Sequence, residues 1–231
     1  MYIGHYAVAF AAKRAAPKTS LGVLLAAALF VDLLWPIFLL LGWERVKIEP
    51  GNTAFTPLAF VYYPITHSLL TGVGWAAVAG LIYYGLTRYR AGAIAVAVLV
   101  LSHWLLDFVV HRPDLPLAPG GSKLLGLGLW NSIAGTLVVE GILFVFGVWI
   151  YLVTTRAKDN IGRYGLLLFL ILNLLIYMSG LVGPPPPNET VLAWVALGVW
   201  LFPLWAGWID RHRAVVRGDV TWPETARSRR R

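Results

Sequence analysis

Within the stretch SHWLLDFVVHRPDLPL, Ser102 to Leu117, two imidazoles and a carboxylate recur at every fourth position: His103, Asp107 and His111. Residues four apart on a helix are offset by only about 40°, so the three form one polar stripe. An imidazole and a carboxylate on adjacent turns can ligate one metal ion, or the carboxylate can orient the imidazole. The surrounding residues are apolar. An ionisable group inside a membrane costs at least about 2.5–3.5 kcal/mol, so its presence argues for function. The same residue types recur sparsely elsewhere, at His5, Asp32, His67 and Glu140. Of the histidines only His212, beside the basic C-terminal end, lies outside this set.

Histidines and carboxylates without thiols suit Zn²⁺, and also Mn²⁺ or Fe²⁺, and the chain has no cysteine. The expected metal ligands are His5, Asp32, His67, His103 and Asp107. A divalent metal ion, zinc foremost, would lower the pKa of bound water to about 7. Asp107 or Glu140 could take the released proton; Glu140 could equally serve as a helix–helix contact or orient a ligand. His111 and Arg112, at the mouth of the stripe, are the expected substrate contacts.

These residues need elements to position them. The chain has 231 residues, of which 58% are hydrophobic and 13% charged, about half the charged share of a soluble domain. Its apolar runs reach about 18 residues or more, enough to cross a bilayer core. The fold expected is an all-α integral membrane bundle, residues 1–217 forming one domain and 218–231 a basic, solvated tail. A short helix over residues 2–14 ends near Pro17, with Ser20 capping the next. Six long helices follow, over residues 21–43, 66–87, 92–111, 130–154, 164–183 and 190–209. Pro36 should kink the first beside Asp32, and Thr66 should cap the second. Residues 44–65 and 112–129 read as loops, and GPPPPNE (Gly183–Glu189) as a stiff turn.

Lys13, Arg14, Lys18, Arg88, Arg90, Arg156, Lys158, Arg163, Arg211 and the terminal arginines fall at one end of these helices. Only Arg45, Lys47, Arg112 and Lys123 fall at the other. The net charge of +8 thus flanks apolar spans, which points to a bilayer partner and not to nucleic acid. The positive-inside bias predicts an inner-membrane protein with a cytoplasmic C-terminus and the long loops outside.

A helical rise of 1.5 Å per residue puts His5 at about 14 Å from the basic end, His103 at about 18 Å and Asp32 at about 19 Å. Glu140 and Asp107 come out near about 22 and 24 Å, and His67 and His111 near about 30 Å, at the mouth. His67 and His103 then differ by about 12 Å, too far for one pair of axial haem ligands.

His5, Asp32, THSLL around His67 and SHWLLDFVVHRPDLP together resemble the YdjM-like family of membrane-bound metal-dependent hydrolases. The resemblance covers roughly residues 1–117. It implies a multi-helix membrane protein with a His/Asp metal site and hydrolase activity. Family members often carry a Pro-Asp-x-Asp-like run where this chain has FVDLLWP, so only Asp32 carries over there. The reading expected from the sequence is a metal-dependent hydrolase of a lipid-phase or amphiphilic substrate, a phosphoester among the candidates. The alternatives are a proton- or ion-coupled transporter, whose relays also use buried Asp, Glu and His, and a non-enzymatic membrane protein.

Overall fold

The structure is a computed structural model and describes residues 1–216; the expected tail lies outside the described residues. It is predominantly helical. Helix α1 (Ile3–Ala15) is followed by α2 (Leu21–Ala28), α3 (Phe30–Leu40), the one-turn α4 (Pro64–His67), α5 (Leu69–Thr87) and α6 (Arg90–Val110). Helices α7 (Ile133–Thr154), α8 (Leu166–Val182), α9 (Glu189–Ala196) and α10 (Leu201–Arg211) complete the bundle. A π-helical turn at Ile161–Gly165 leads into α8, and a 3-10 turn at Leu197–Trp200 joins α9 to α10. Five segments are long and apolar enough to cross a membrane, and the α2–α3 pair, bent by 55°, makes six if it counts as one span. Their outward faces are apolar: Leu81, Val145 and Leu204 are each at least 70% exposed. That is how a helix that borders lipid should look.

The short N-terminal helix is the axis of the bundle. Ile3, His5, Tyr6, Ala7, Ala9, Phe10 and Lys13 of α1 are all buried, and Phe10 meets Phe144, Tyr151 and Phe169 through ring contacts at 5.3–6.3 Å. Helix α7 reaches this axis because residue 147 is glycine: a Cβ there would lie 2.3 Å from the Ala7 carbonyl oxygen. At one end of the bundle Lys13 donates to Asp210 Oδ2 (2.6 Å), and Tyr151 donates to Asp210 Oδ1 (2.8 Å). Nearby, β5 (Thr155–Ala157) pairs with β6 (Arg213–Val215). There His212 bonds Asp159 (2.7 Å), and this hydrogen bond holds the exposed Asp159 carboxyl below its usual range.

The opposite end carries the two long connections. They are more ordered than expected: β1 (Arg45–Ile48) pairs with β2 (Leu58–Tyr62), and β3 (Leu115–Pro116) with β4 (Leu124–Leu125). The Phe55 amide bonds the Trp130 carbonyl, tying the two connections together, and the Leu70 amide of α5 bonds the Leu117 carbonyl.

Two local expectations need correction. The first long helix breaks at Leu29, between α2 and α3, while α3 continues through Pro36. Thr66 does not cap a long helix. It lies inside α4, and Ser68 caps α5 by accepting the Thr71 amide at 3.3 Å. Ser20, as expected, accepts the Val23 amide at 3.2 Å and caps α2.

Gly147→Val should push α1 away from α7 and destabilise the protein by about 1–3 kcal/mol, as overpacking does. Gly141→Ala on the same helix meets open space and should be neutral. Thermal unfolding of both variants in one detergent checks this.

Candidate metal centre

The α2–α3 break has a partner across the bundle: the Ala28 carbonyl accepts the His103 Nδ1 hydrogen at 2.8 Å. A carbonyl only accepts, so His103 carries its proton on Nδ1 and turns Nε2 inward. The bend also sets Asp32 in the first turn of α3, where the positive helix end favours a carboxylate. Asp32 Oδ1 lies 3.5 Å from His103 Nε2 and 3.5 Å from His67 Nε2.

His67 is held in the same manner by a longer chain of bonds. Glu44, buried just after α3, accepts the amides of Ile65 (2.8 Å) and Thr66 (2.9 Å) and the Thr66 hydroxyl hydrogen (2.7 Å). With its own proton given to Glu44, Thr66 Oγ1 is left to accept from His67 Nδ1 at 2.6 Å. His111 repeats the pattern, with Nδ1 at 2.9 Å from Asp114 Oδ1, which also accepts the Tyr63 hydroxyl at 2.9 Å. Three imidazoles are therefore fixed through Nδ1 to a carbonyl, a Thr–Glu pair and an aspartate. Fixing one ring nitrogen in this way orients the other as a ligand.

All three Nε2 atoms point at one carboxylate. Asp107 Oδ2 is 3.1 Å from His103 Nε2, 3.8 Å from His67 Nε2 and 4.0 Å from His111 Nε2. His103 Nε2 is buried and makes no hydrogen bond among the described residues. A nitrogen lone pair facing a carboxylate oxygen at 3.1 Å needs a cation between them, either a proton or a metal ion. A tetrahedral zinc site with bonds of 2.0–2.1 Å has edges of about 3.3–3.4 Å; Asp32 Oδ1, His67 Nε2 and His103 Nε2 lie within 4.8 Å of one another, and Asp107 Oδ2 stands beside them at 3.1 Å from His103 Nε2 and 3.8 Å from His67 Nε2. This N₂O₂ donor set fits a divalent ion without thiols.

His5 lies on the other side of the carboxylate. Its ring stacks on His103 at 3.7 Å and 5°, and Nε2 is 3.0 Å from Asp107 Oδ1. The Met1 amino group donates to the same oxygen. Two overlapping ligand groups result, Asp32–His67–His103 and His5–His103–Asp107.

All five expected ligands thus converge, but the expected ordering by depth does not survive. His67 does not stand about 12 Å above His103: their rings lie 5.4 Å apart. The constant helical rise fails here because α4 and α5 are separate helices, with extended backbone at Ser68 between them, and the distance argument against an axial pair falls with it. Glu140 makes the helix–helix contact that is the alternative to a catalytic role. It accepts the amides of Tyr2 (2.9 Å) and Gly4 (3.2 Å), anchoring the start of α1, and it does not line the cavity that reaches Asp32, His67 and Asp107. Arg112 likewise turns to Asp114 (Nε–Oδ2 3.3 Å) and does not line that cavity, whereas His111 does.

Sequence reasoning missed Glu44, the Ala28 carbonyl and Asp114. Asp114 had a signal, three residues after His111 in HRPD; Glu44 and Ala28 had none, since only tertiary packing brings them to the site. No family model matches the chain, and no curated protein or solved structure matches it.

Thr66→Val removes the hydroxyl between His67 and Glu44 at nearly unchanged volume. The affinity of the group for Zn²⁺ should fall about 10–100-fold, as loss of a ligand's orienting partner does. Titration against a chromophoric chelator measures it.

Proposed function

We propose that this chain is a membrane-embedded, metal-dependent hydrolase acting on a lipid-phase or amphiphilic substrate, with a phosphoester the best fit. The observation that carries the reading is the Asp32–His67–His103 group, its donor atoms within 4.8 Å of one another with Asp107 beside it, and both imidazoles held through Nδ1. Asp32, His67, His103 and Asp107 would hold the ion; when bound, it would supply a water acidified to a pKa of about 7 and an electrophile for a phosphoryl or acyl oxygen. Zinc suits the donor set best, and manganese or iron are compatible with it.

The protein's own groups divide the remaining work. Asp107 takes His5 and the Met1 amino group on Oδ1, and its Oδ2, 3.1 Å from His103 Nε2, would face the ion. Asp32, with a side chain 33% exposed, lines the cavity and is the better placed carboxylate to take a proton. His5 donates to Asp107 and holds its orientation. His111, held by Asp114 and lining the cavity, can donate to the head group of a bound substrate or to its leaving oxygen. The cavity, of about 320 Å³, is walled by Trp35, Phe60, Trp130 and Tyr177, which suits an amphiphile over a hydrophilic substrate. Beneath the group the packing of Tyr6, Phe10, Phe144 and Phe169 supports a site that turns over its substrate more than a path across the membrane. The positive-inside bias would set this end of the bundle on the outer side of the inner membrane.

Protein extracted in mild detergent should retain roughly one Zn, Mn or Fe ion per chain, and His103→Ala should lose it. Hydrolysis of a phosphoester lipid in mixed micelles should fall at least about 100-fold in that variant. Equal metal content in the two proteins, or unchanged turnover, would sink the proposal.

A further inference from the structure

The cavity that reaches Asp32 and His67 has a second wall of apolar residues. Its lining continues to Ile176 and Gly180 of α8, and to Ala196 and Val199 at the α9 end and the following 3-10 turn. Gly180 and Ile176 are at the same time exposed on the outside of the bundle, so the cavity's rim lies at that surface. Helix α9 packs against α3 and β1, while α8 packs against α1 and α10. The two cavity-lining segments belong to different parts of the bundle. The residues where they flank the cavity include the two smallest types, glycine and alanine. A Cβ added at Gly180 meets nothing within 4 Å, so the space beside it is open.

Resting on the hydrolase reading above, we propose that the gap between α8 and the α9 end is an acyl-chain slot. A membrane lipid would enter side-on, its anionic head group toward the ion that Asp32 and His67 would hold and toward His111, and one hydrocarbon chain across Leu29, Ile176, Gly180 and Ala196. Three observations argue for this occupant over a water-soluble one. One continuous cavity joins the polar group to an apolar rim. The outer surface around that rim is itself apolar, with Leu175 at 61%, Val182 at 77% and Val195 at 71% exposed. Both flanking segments belong to spans long enough to cross a membrane, so the rim borders lipid. Hydrocarbon moving from bilayer to slot gains little from the hydrophobic effect, since both sides are apolar. Specificity must then come from the head group, and the slot sets the position and number of chains.

The test is photocrosslinking, which needs no turnover. Wild-type protein in phosphatidylcholine vesicles is mixed with a phosphatidic acid analogue bearing a diazirine near the end of one acyl chain, and adducts are mapped by mass spectrometry. Adducts concentrated on residues 176–180 and 196–199, and reduced at least fivefold in Gly180→Phe with metal content retained, are the expected result. Adducts spread evenly over outward residues such as Leu81, Val145 and Leu204, or undiminished in Gly180→Phe, would overturn the slot. Should Gly180→Phe lose its metal, the wild-type adduct map alone decides. A slot without hydrolysis, or hydrolysis without a slot, separates this proposal from the one it rests on.

Discussion

A carboxylate buried in an apolar bundle must be neutralised, and the Asp107 side chain is the place where this protein meets that requirement. Its two oxygens face three imidazole Nε2 atoms on one side and His5 with the Met1 amino group on the other. Removing one partner from a buried charged group typically costs about 3–5 kcal/mol, because the remaining charge is left without compensation. The arrangement holds only if the backbone elements carrying these groups stay in register. The break at Leu29, the one-turn helix α4 and the buried axis α1 all serve that end.

The same constraint explains why the bundle is built around a short helix. Helix α1 could not span a membrane alone, yet it brings His5 and the chain's amino terminus to Asp107 while Glu140 holds its first amides. Lys13 at its far end is tied to Asp210. A helix pinned by polar contacts at both ends, with Tyr6 and Phe10 packed between, is fixed in both translation and rotation. Gly147 then matters to the site, although it lies well away from it.

Much of the helical bundle was legible in the sequence, because long apolar runs flanked by basic residues have few alternatives. That His103 and Asp107 share one face was legible from their four-residue spacing, and Asp32, His5 and His67 stood out from the expense of a polar group in an apolar run; the structure brings the five together. What could not be read was how the rings are held. Glu44 sits in a connection with no apolar period and finds Thr66 only through tertiary folding, and the Ala28 carbonyl is available only because the helix breaks. Glu140 was ambiguous for a related reason: depth alone does not tell an acid that bonds the first amides of α1 from one that faces the site. Depth along helices failed for His67 because helical rise applies only within one unbroken helix.

The most direct test of the account is X-ray absorption at the metal edge of the purified, unreconstituted protein. The account predicts a low-coordinate first shell of nitrogen and oxygen at about 2.0–2.1 Å with outer-shell scattering from two imidazoles, and loss of one imidazole in His67→Ala. A preparation without metal, or an ion surrounded by six oxygens with no imidazole signature, would contradict it.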